Sequence, residues 1–357
     1  MKIIHIIDSL GIGGAERLIT DIVPNLVEKG NKVDVVLLNG EKTHLYKELE
    51  SLNCCKIYSL GKSYYNPLYI LKLIPYFYSY DIIHVHLFPA QYFAALARLF
   101  CFKKVKLIFT EHNTSNTRLE SKKYRWIERF IYSCYNKVVC ITNEVKTVLI
   151  DRLNLNESKL IVVENGVSLE TVRSADLISR ESMGFNENDK LLIMVAGFRP
   201  QKDHDTVIRS LVKLPSVYKL LLVGDGERRK ELENLVSELS LSGRVHFLGI
   251  RSDVYSLMKM CDVAILSSHW EGFGLVAVEA MASGIPLIAS NVDGLAQVVE
   301  GGGILFEKGS ESDLYDKILS LEGESYYQEV CEKGLIKAKR YDIDSMVDKL
   351  IVVYETV

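Results

Sequence analysis

Short apolar runs alternate with amphipathic segments along almost the whole chain, and the pattern runs through twice. Ile3–Ile7, Val33–Leu38, Ile82–Val85, Leu107–Phe109, Val138–Ile141 and Leu160–Val163 read as strands buried on both faces. Helical patterns such as Ala15–Glu28 and Ala90–Phe100 separate them. The alternation restarts with Leu191–Ala196, Lys219–Val223, Val245–Leu248, Val263–Leu266 and Pro286–Ala289. Between these lie Thr206–Leu214, Arg228–Ser240 and Val276–Met281. Strands alternating with helices predict a parallel sheet with helices on both faces. The chain of 357 residues is too long for one ordinary core. The expected fold is therefore α/β, with two Rossmann-like domains facing a cleft. The expected boundaries are 1–168 for an N-terminal domain, 169–342 for a C-terminal domain, and 343–357 for a helix crossing back onto the first. The Asn165–Asn188 region breaks the periodicity and marks the junction.

Composition excludes several classes. No run of about 18 uncharged apolar residues is present, so no membrane-spanning helix is expected. Met1–Ile7 is too short for a secretory leader and ends at Asp8, so a buried strand is expected there. The seven cysteines are odd in number, lack Cys-x-x-Cys spacing and are expected to be reduced packing residues. Cys54–Cys55 read as strand residues. Net charge is −3 overall. Residues 1–165 carry 22 Lys/Arg and 16 Asp/Glu, hence +6; the remainder carries 21 and 30, hence −9. A basic N-terminal half suits an anionic partner, although chance surface variation gives the same count. Nucleic acid is not expected, with an isoelectric point near 6.3 and no binding motif.

Ligands of open α/β sheets bind beyond the carboxyl ends of strands, so the loops there are searched first. Gly11-Ile12-Gly13-Gly14-Ala15-Glu16 follows the first strand and opens a helix. Glycines let the backbone approach a phosphate at the positive end of a helix. Glu16 stands where a dinucleotide fingerprint needs its third glycine, and Asn39 where it needs an acid, which disfavours a dehydrogenase. A tight strand–helix turn is the plainer reading. Gly197-Phe198-Arg199-Pro200-Gln201-Lys202-Asp203-His204 follows the first strand of the second half. Arg199 and Lys202 can clamp a diphosphate and stabilise its departure; the alternative is a solvated basic loop. Glu271-Gly272-Phe273-Gly274-Leu275 runs into a helix of small and apolar residues that carries Glu279. Free N–H groups at that helix start face an anion, and carboxylates on either side suit sugar and ribose hydroxyls.

These residues resemble the retaining glycosyltransferase family 4, of the GT-B fold. The resemblance rests on Glu271 through Glu279 (the family's E-x7-E), on Pro200-Gln201-Lys202-Asp203, and on Gly13-Gly14-Ala15-Glu16. It spans nearly the whole chain and is strongest over residues 190–300. It implies that Glu271 contacts the donor sugar and Glu279 the ribose. Lys202 would bind the donor phosphates, with Gly13 and Gly14 approaching them from the other domain. Phe273, Gly274 and Leu275 would offer backbone N–H groups. Leu248 and Gly249, in Phe247-Leu248-Gly249-Ile250, match the stretch whose backbone reads the base, and Asp225-Gly226-Glu227 a loop near the nucleotide. Family members place a histidine at His112, facing the donor sugar; His84 and His86 end a neighbouring strand. Gly197 stands where the family usually has arginine, with Arg199 two residues on as a substitute. The candidate catalytic residues are thus His112, Glu271, Lys202 and Arg199.

No catalytic carboxylate pair stands out in the first half, which suits the retaining transfer that the family implies. Asp203–Asp205 and Asp342–Asp344 each precede a helical pattern and are read as helix starts, not metal ligands. No metal and no cofactor are expected. Lys103, Lys104, Lys106, Lys122, Lys123, Arg125 and Arg129 are interleaved with aromatics. They suit an anionic lipid surface or a lipid diphosphate. Tyr64–Tyr80 holds six tyrosines and reads as an acceptor groove, a bilayer contact or ordinary core. The resulting expectation is a cytoplasmic glycosyltransferase at the inner membrane face. It would move a sugar from a nucleotide diphosphate sugar, a UDP-sugar first, to a lipid-linked saccharide in surface polysaccharide assembly. A GT-B nucleotide-sugar epimerase and a non-catalytic nucleotide-binding partner of an assembly complex remain as alternatives.

Overall fold

The computed structural model describes residues 1–11, 13–113, 117–121 and 123–357. Ile12 of the first glycine turn and Lys122 of the basic run lie outside the described residues. The chain forms two compact units: 1–167 with 343–357, and 168–342.

The first unit holds β1 (Lys2–Ile7), β2 (Lys32–Asn39), β3 (Ile57–Gly61), β4 (Ile82–His86), β5 (Lys106–Glu111), β6 (Lys137–Cys140) and β7 (Leu160–Val162). They pair in the order β3-β2-β1-β4-β5-β6-β7, and every ladder is parallel. Strand order reverses beside β1, so β1 and β4 flank the switch point where such sheets bind ligands. The second unit holds β8 (Lys190–Val195), β9 (Tyr218–Val223), β10 (Val245–Gly249), β11 (Val263–Leu266), β12 (Leu287–Ser290) and β13 (Ile304–Phe306). Its order is β10-β9-β8-β11-β12-β13, again parallel. Here β8 and β11 flank the switch.

The strand interiors are nearly inaccessible, which is why they read as unbroken apolar runs and not as alternating ones. Two strands escaped that reading. β3 is only partly buried at the sheet edge, and β13 is three residues long between glycines and a turn. Cys54 and Cys55, read as strand, lie in the bend before β3. All seven cysteines are free thiols. Among the described residues no helix is long and apolar enough to cross a membrane.

The closing helix Ile343–Thr356 belongs to the first unit. It packs along the helix Gly14–Glu28. Lys29 Nζ sits 2.7 Å from Asp348, and Tyr354 reaches the sheet, its hydroxyl 2.6 Å from His84 Nδ1. Tyr354 is fully buried, so the helix brings a polar group to a histidine that burial would otherwise leave unsatisfied.

Candidate active site

In the second unit the loops after β8 and β11 are stitched together. Gln201 Nε2 donates to Trp270 O at 2.8 Å, and His269 N to Gln201 O at 2.8 Å. The buried Ser267 hydroxyl lies 2.9 and 2.8 Å from the carbonyl oxygens of Lys202 and Asp203. These bonds place Lys202 Nζ 2.5 Å from a Glu271 carboxylate oxygen. Ser268 Oγ donates to that same oxygen at 3.2 Å. Both partners remain partly open, with 21% and 16% of their side chains exposed. The pair is therefore shielded yet reachable by a ligand.

Glycines shape the backbone around it. Gly294, at φ +81°, comes so close that a Cβ there would lie 2.2 Å from Glu271 O. Gly274, at φ +82°, caps the helix Leu275–Ala282 without any side-chain cap. A glycine cap leaves the first N–H groups of that helix to acceptors other than the capping residue's own side chain. Phe273 is buried edge-on against Tyr341 at 5.4 Å, which fixes the turn. Glu279 is the only acid in the helix and is 8% exposed; Tyr255 donates to it at 3.3 Å. Burying a carboxylate without a partner is costly, and the tyrosine offsets part of that cost. Gly249, at φ +68°, ends β10, and its carbonyl accepts from Gly224 N at 2.8 Å. Leu248 beside it is half-buried.

The structure thus gathers Lys202, Glu271, Phe273, Gly274, Leu275 and Glu279 at the carboxyl ends of β8 and β11, while Leu248 and Gly249 close β10. Gly197 begins the β8 loop, and a side chain there would meet Arg199 and the Asp225 carbonyl at 3.8 Å. Arg199 is exposed and makes no ion pair among the described residues. Asp203 caps the helix His204–Lys213 through Thr206 N, and Asp205 pairs with Arg228 at 2.6 Å. Both acids of that Asp-x-Asp are thus engaged in structure.

In the first unit Gly13 caps the helix Gly14–Glu28, and Gly14 is its first residue. The Glu16 carboxylate folds back over this turn: a Cβ on Gly13 would lie 2.3 Å from Glu16 Oε2. A negative group thus occupies the helix start where an anion is favoured. His5 lies within β1, His84 within β4, His86 at the end of β4, and His112 just past β5. His5 Nδ1 is 3.0 Å from His86 Nε2, and His86 Nδ1 is 3.1 Å from His112 Nε2. His84 uses both nitrogens, on Tyr354 and on Thr110 at 2.7 Å. Desolvation lowers all of these imidazoles, His5 to about 3 and His112 to about 4. They are neutral at pH 7.

Asp8, at the carboxyl end of β1, was passed over as the residue ending an apolar run. Its Oδ1 accepts from Ala90 N at 2.9 Å, at the start of the helix Ala90–Leu99. Burial raises its carboxyl to about 7, opposed by that N–H and aided by Glu16. Its place directly after a strand was the available signal. Arg118 was also missed. Its guanidinium lies 3.8 Å over the Phe88 ring and bonds to the buried Glu128 at 2.9 Å. Only the folded packing of α-helical and loop segments makes that contact visible.

Two parallel Rossmann-like sheets, each with its polar residues at the strand ends, and a lysine–glutamate pair beside a glycine-led helix define a GT-B glycosyltransferase. The family models agree: residues 12–171 match Glycosyltransferase Family 4, and residues 176–337 match Glycosyl transferases group 1. An uncharacterised glycosyltransferase of Methanocaldococcus jannaschii is 32% identical over 77% of this chain and 75% of its own. The chain belongs to this glycosyltransferase family. The UDP-Gal:alpha-D-GlcNAc-diphosphoundecaprenol alpha-1,3-galactosyltransferase of Escherichia coli is 29% identical, over 76% of this chain and 77% of its own. The crystal structure of HepE of Anabaena in complex with UDP and glucose superposes with a TM-score of 0.88 over all of both chains, at 22% identity.

Proposed function

We propose that this glycosyltransferase is retaining and metal-independent, and transfers a sugar from a UDP-sugar to a lipid-linked saccharide in surface polysaccharide or glycan assembly. The observation that carries the reading is the Lys202–Glu271 pair. One loop offers a cation suited to a diphosphate, and the next offers a carboxylate suited to sugar hydroxyls, 2.5 Å apart. A donor would part them, the lysine turning to the leaving diphosphate and the acid to the sugar. Arg199, exposed beside them, supplies a second positive charge. Glu279 would take the ribose, and the ends of β10 the base, through Leu248 and Gly249. The bond from the anomeric carbon to the diphosphate oxygen breaks, the acceptor oxygen bonds to the same face, and its proton passes to the departing oxygen. Donor charge is met by Lys202, Arg199 and backbone N–H groups, while Asp203 and Asp205 are committed to a helix cap and to Arg228, which supports turnover without a metal. HepE and the E. coli relative support UDP and a lipid diphosphate acceptor by likeness.

The test is turnover of a panel of UDP- and GDP-sugars with a polyprenyl-diphosphate saccharide, with and without EDTA. UDP-sugar turnover unaffected by EDTA, giving product of retained anomeric configuration by NMR, is expected. Loss of activity in EDTA removes the metal-independent reading, and GDP-sugar preference removes the UDP reading. Sugar interconversion without acceptor would favour an epimerase. Asp8 favours one second reading: a carboxyl near neutrality can take the acceptor proton in a direct displacement. Inverted product would establish it.

A peripheral membrane contact at the cytoplasmic face is part of the proposal. The helix Arg125–Ser133 exposes Trp126 (71%), Arg129 and Phe130, and it packs on the helix Ala90–Leu99. That second helix is followed by the exposed Phe100, Phe102, Lys103 and Lys104. Aromatic and basic side chains together suit an anionic interface.

A further inference from the structure

His5, His86 and His112 form a series of imidazoles, one from β1, one from β4 and one just past β5. The links are 3.0 and 3.1 Å. Each ring is neutral in this environment, so each has one N–H and one bare nitrogen. A neutral series transmits direction. If His5 donates from Nδ1, His86 receives on Nε2 and must donate from Nδ1. His112 then receives on Nε2 and carries its own proton on Nδ1. Reversal at His5 reverses all three. Any mixed arrangement sets two N–H groups, or two lone pairs, against each other at about 3 Å.

The far end selects between the two directions. His5 Nε2 is buried and has no partner. His5 itself is wholly inaccessible, packed against the rings of His84 and His86 at 5.0 and 5.2 Å. In the reversed series this nitrogen would carry a buried N–H with no acceptor, an arrangement that native proteins rarely keep. With Nδ1 protonated it is a bare ring nitrogen.

We propose that His5 is a positioning residue which, through His86, holds His112 in the Nδ1–H tautomer, so that His112 offers a hydrogen-bond donor to an oxygen of the reacting substrate. This rests on the proposed glycosyl transfer and on His112 as its candidate catalytic residue. Nδ1 is the nitrogen that His112 leaves unused by the described residues, since Nε2 faces His86. A preset donor costs no reorientation when charge develops on the substrate. The same histidines invite a metal reading, because ring nitrogens of His5, His84 and His86 lie within 4.8 Å of one another. That reading fails on partners. His84 and His86 each have both nitrogens engaged, so three lone pairs do not converge.

The test is heteronuclear NMR of the full protein labelled with 15N-histidine, with the His112 signals assigned by their loss in His112→Gln. The ring nitrogen shifts of wild type should report Nδ1–H at His112. His5→Phe removes the first link and should move His112 to a mixture or to Nε2–H, with kcat falling about tenfold, the lower end for loss of an imidazole-orienting group, and KM for the nucleotide sugar little changed. His5→Asn retains a donor near the Nδ1 position and should restore both the tautomer and most of kcat. Nε2–H in the wild type, or a His112 signal indifferent to both substitutions, overturns the lock, as does zinc bound at one equivalent in the purified protein. These wild-type results stand even if a variant fails to fold. A tautomer that shifts in His5→Phe while kcat stays at the wild-type value leaves the lock standing and overturns the catalytic placement of His112.

Discussion

The Lys202–Glu271 pair makes two substitutions behave in opposite ways. In Lys202→Ala the diphosphate loses a charge-assisted hydrogen bond, which contributes about 1.5–3 kcal/mol. The lysine already satisfies its charge on Glu271 in the free protein, 21% exposed, so binding exchanges one partner for another and the lower end applies. At about 1.4 kcal/mol per decade, the Kd for UDP rises about tenfold. Glu271→Gln removes the competitor instead. Lys202 is then free for the diphosphate, so UDP binds as well as to wild type or a few-fold more tightly. Turnover of the UDP-sugar nevertheless falls about a hundredfold or more, because the sugar loses a carboxylate that accepts several hydroxyls. A partly exposed ion pair contributes about 0–1 kcal/mol to folding, so both variants should melt within a few degrees of wild type. The assay is calorimetric titration with UDP, paired with radiolabelled sugar transfer. Equal weakening of UDP by both substitutions would refute the exchange of partners, and unchanged UDP binding in Lys202→Ala would remove the lysine from the diphosphate.

Other consequences follow from the same geometry. Gly294→Ala puts a Cβ against Glu271 O at 2.2 Å in a left-handed backbone; it should cost about 1–3 kcal/mol of stability by thermal melting and displace Glu271 enough to abolish transfer. Glu279→Gln should weaken UDP about tenfold while leaving inorganic diphosphate unchanged in a displacement assay, since only the nucleoside reaches the ribose contact. Asp8, raised to about 7 by burial, binds its proton more tightly folded than unfolded. Its contribution is thus full below its ordinary range near 4 and is lost as pH rises toward 7. Asp8→Asn, which can still accept from Ala90 N, should therefore gain melting temperature over wild type between pH 4 and 7 and hold that gain above it. A gain independent of pH would show that Asp8 is not raised. Trp126→Glu with Arg129→Glu should abolish co-sedimentation with phosphatidylglycerol vesicles while transfer to a detergent-soluble acceptor continues; undiminished sedimentation would refute the proposed interface.

Eleven of the strands announced themselves because a parallel sheet buried on both faces needs continuous apolar runs, and the observed ranges differ from those runs by a residue or two. β3 and β13 did not, since an edge strand half open to solvent and a three-residue strand carry too little apolar signal. The glycine-led helix with Glu271 and Glu279 was legible because all of its chemistry sits within nine consecutive residues. Local order alone also placed Lys202 after a strand, and it marked Asp203 as a helix cap. Lys202 meeting Glu271 was decided elsewhere, by Ser267, Gln201 and Trp270 joining loops 69 residues apart. The same holds for Asp8, whose carboxyl is set by burial against a helix start 82 residues away, and for His84, which waits for Tyr354 at a separation of 270. Sequence thus determined which elements form and where strands end, because those depend on neighbours in the chain and on apolar period. Tertiary structure decided which polar groups are paired, neutral or left with one free nitrogen, because desolvation and hydrogen bonding depend on what packs against them from distant strands.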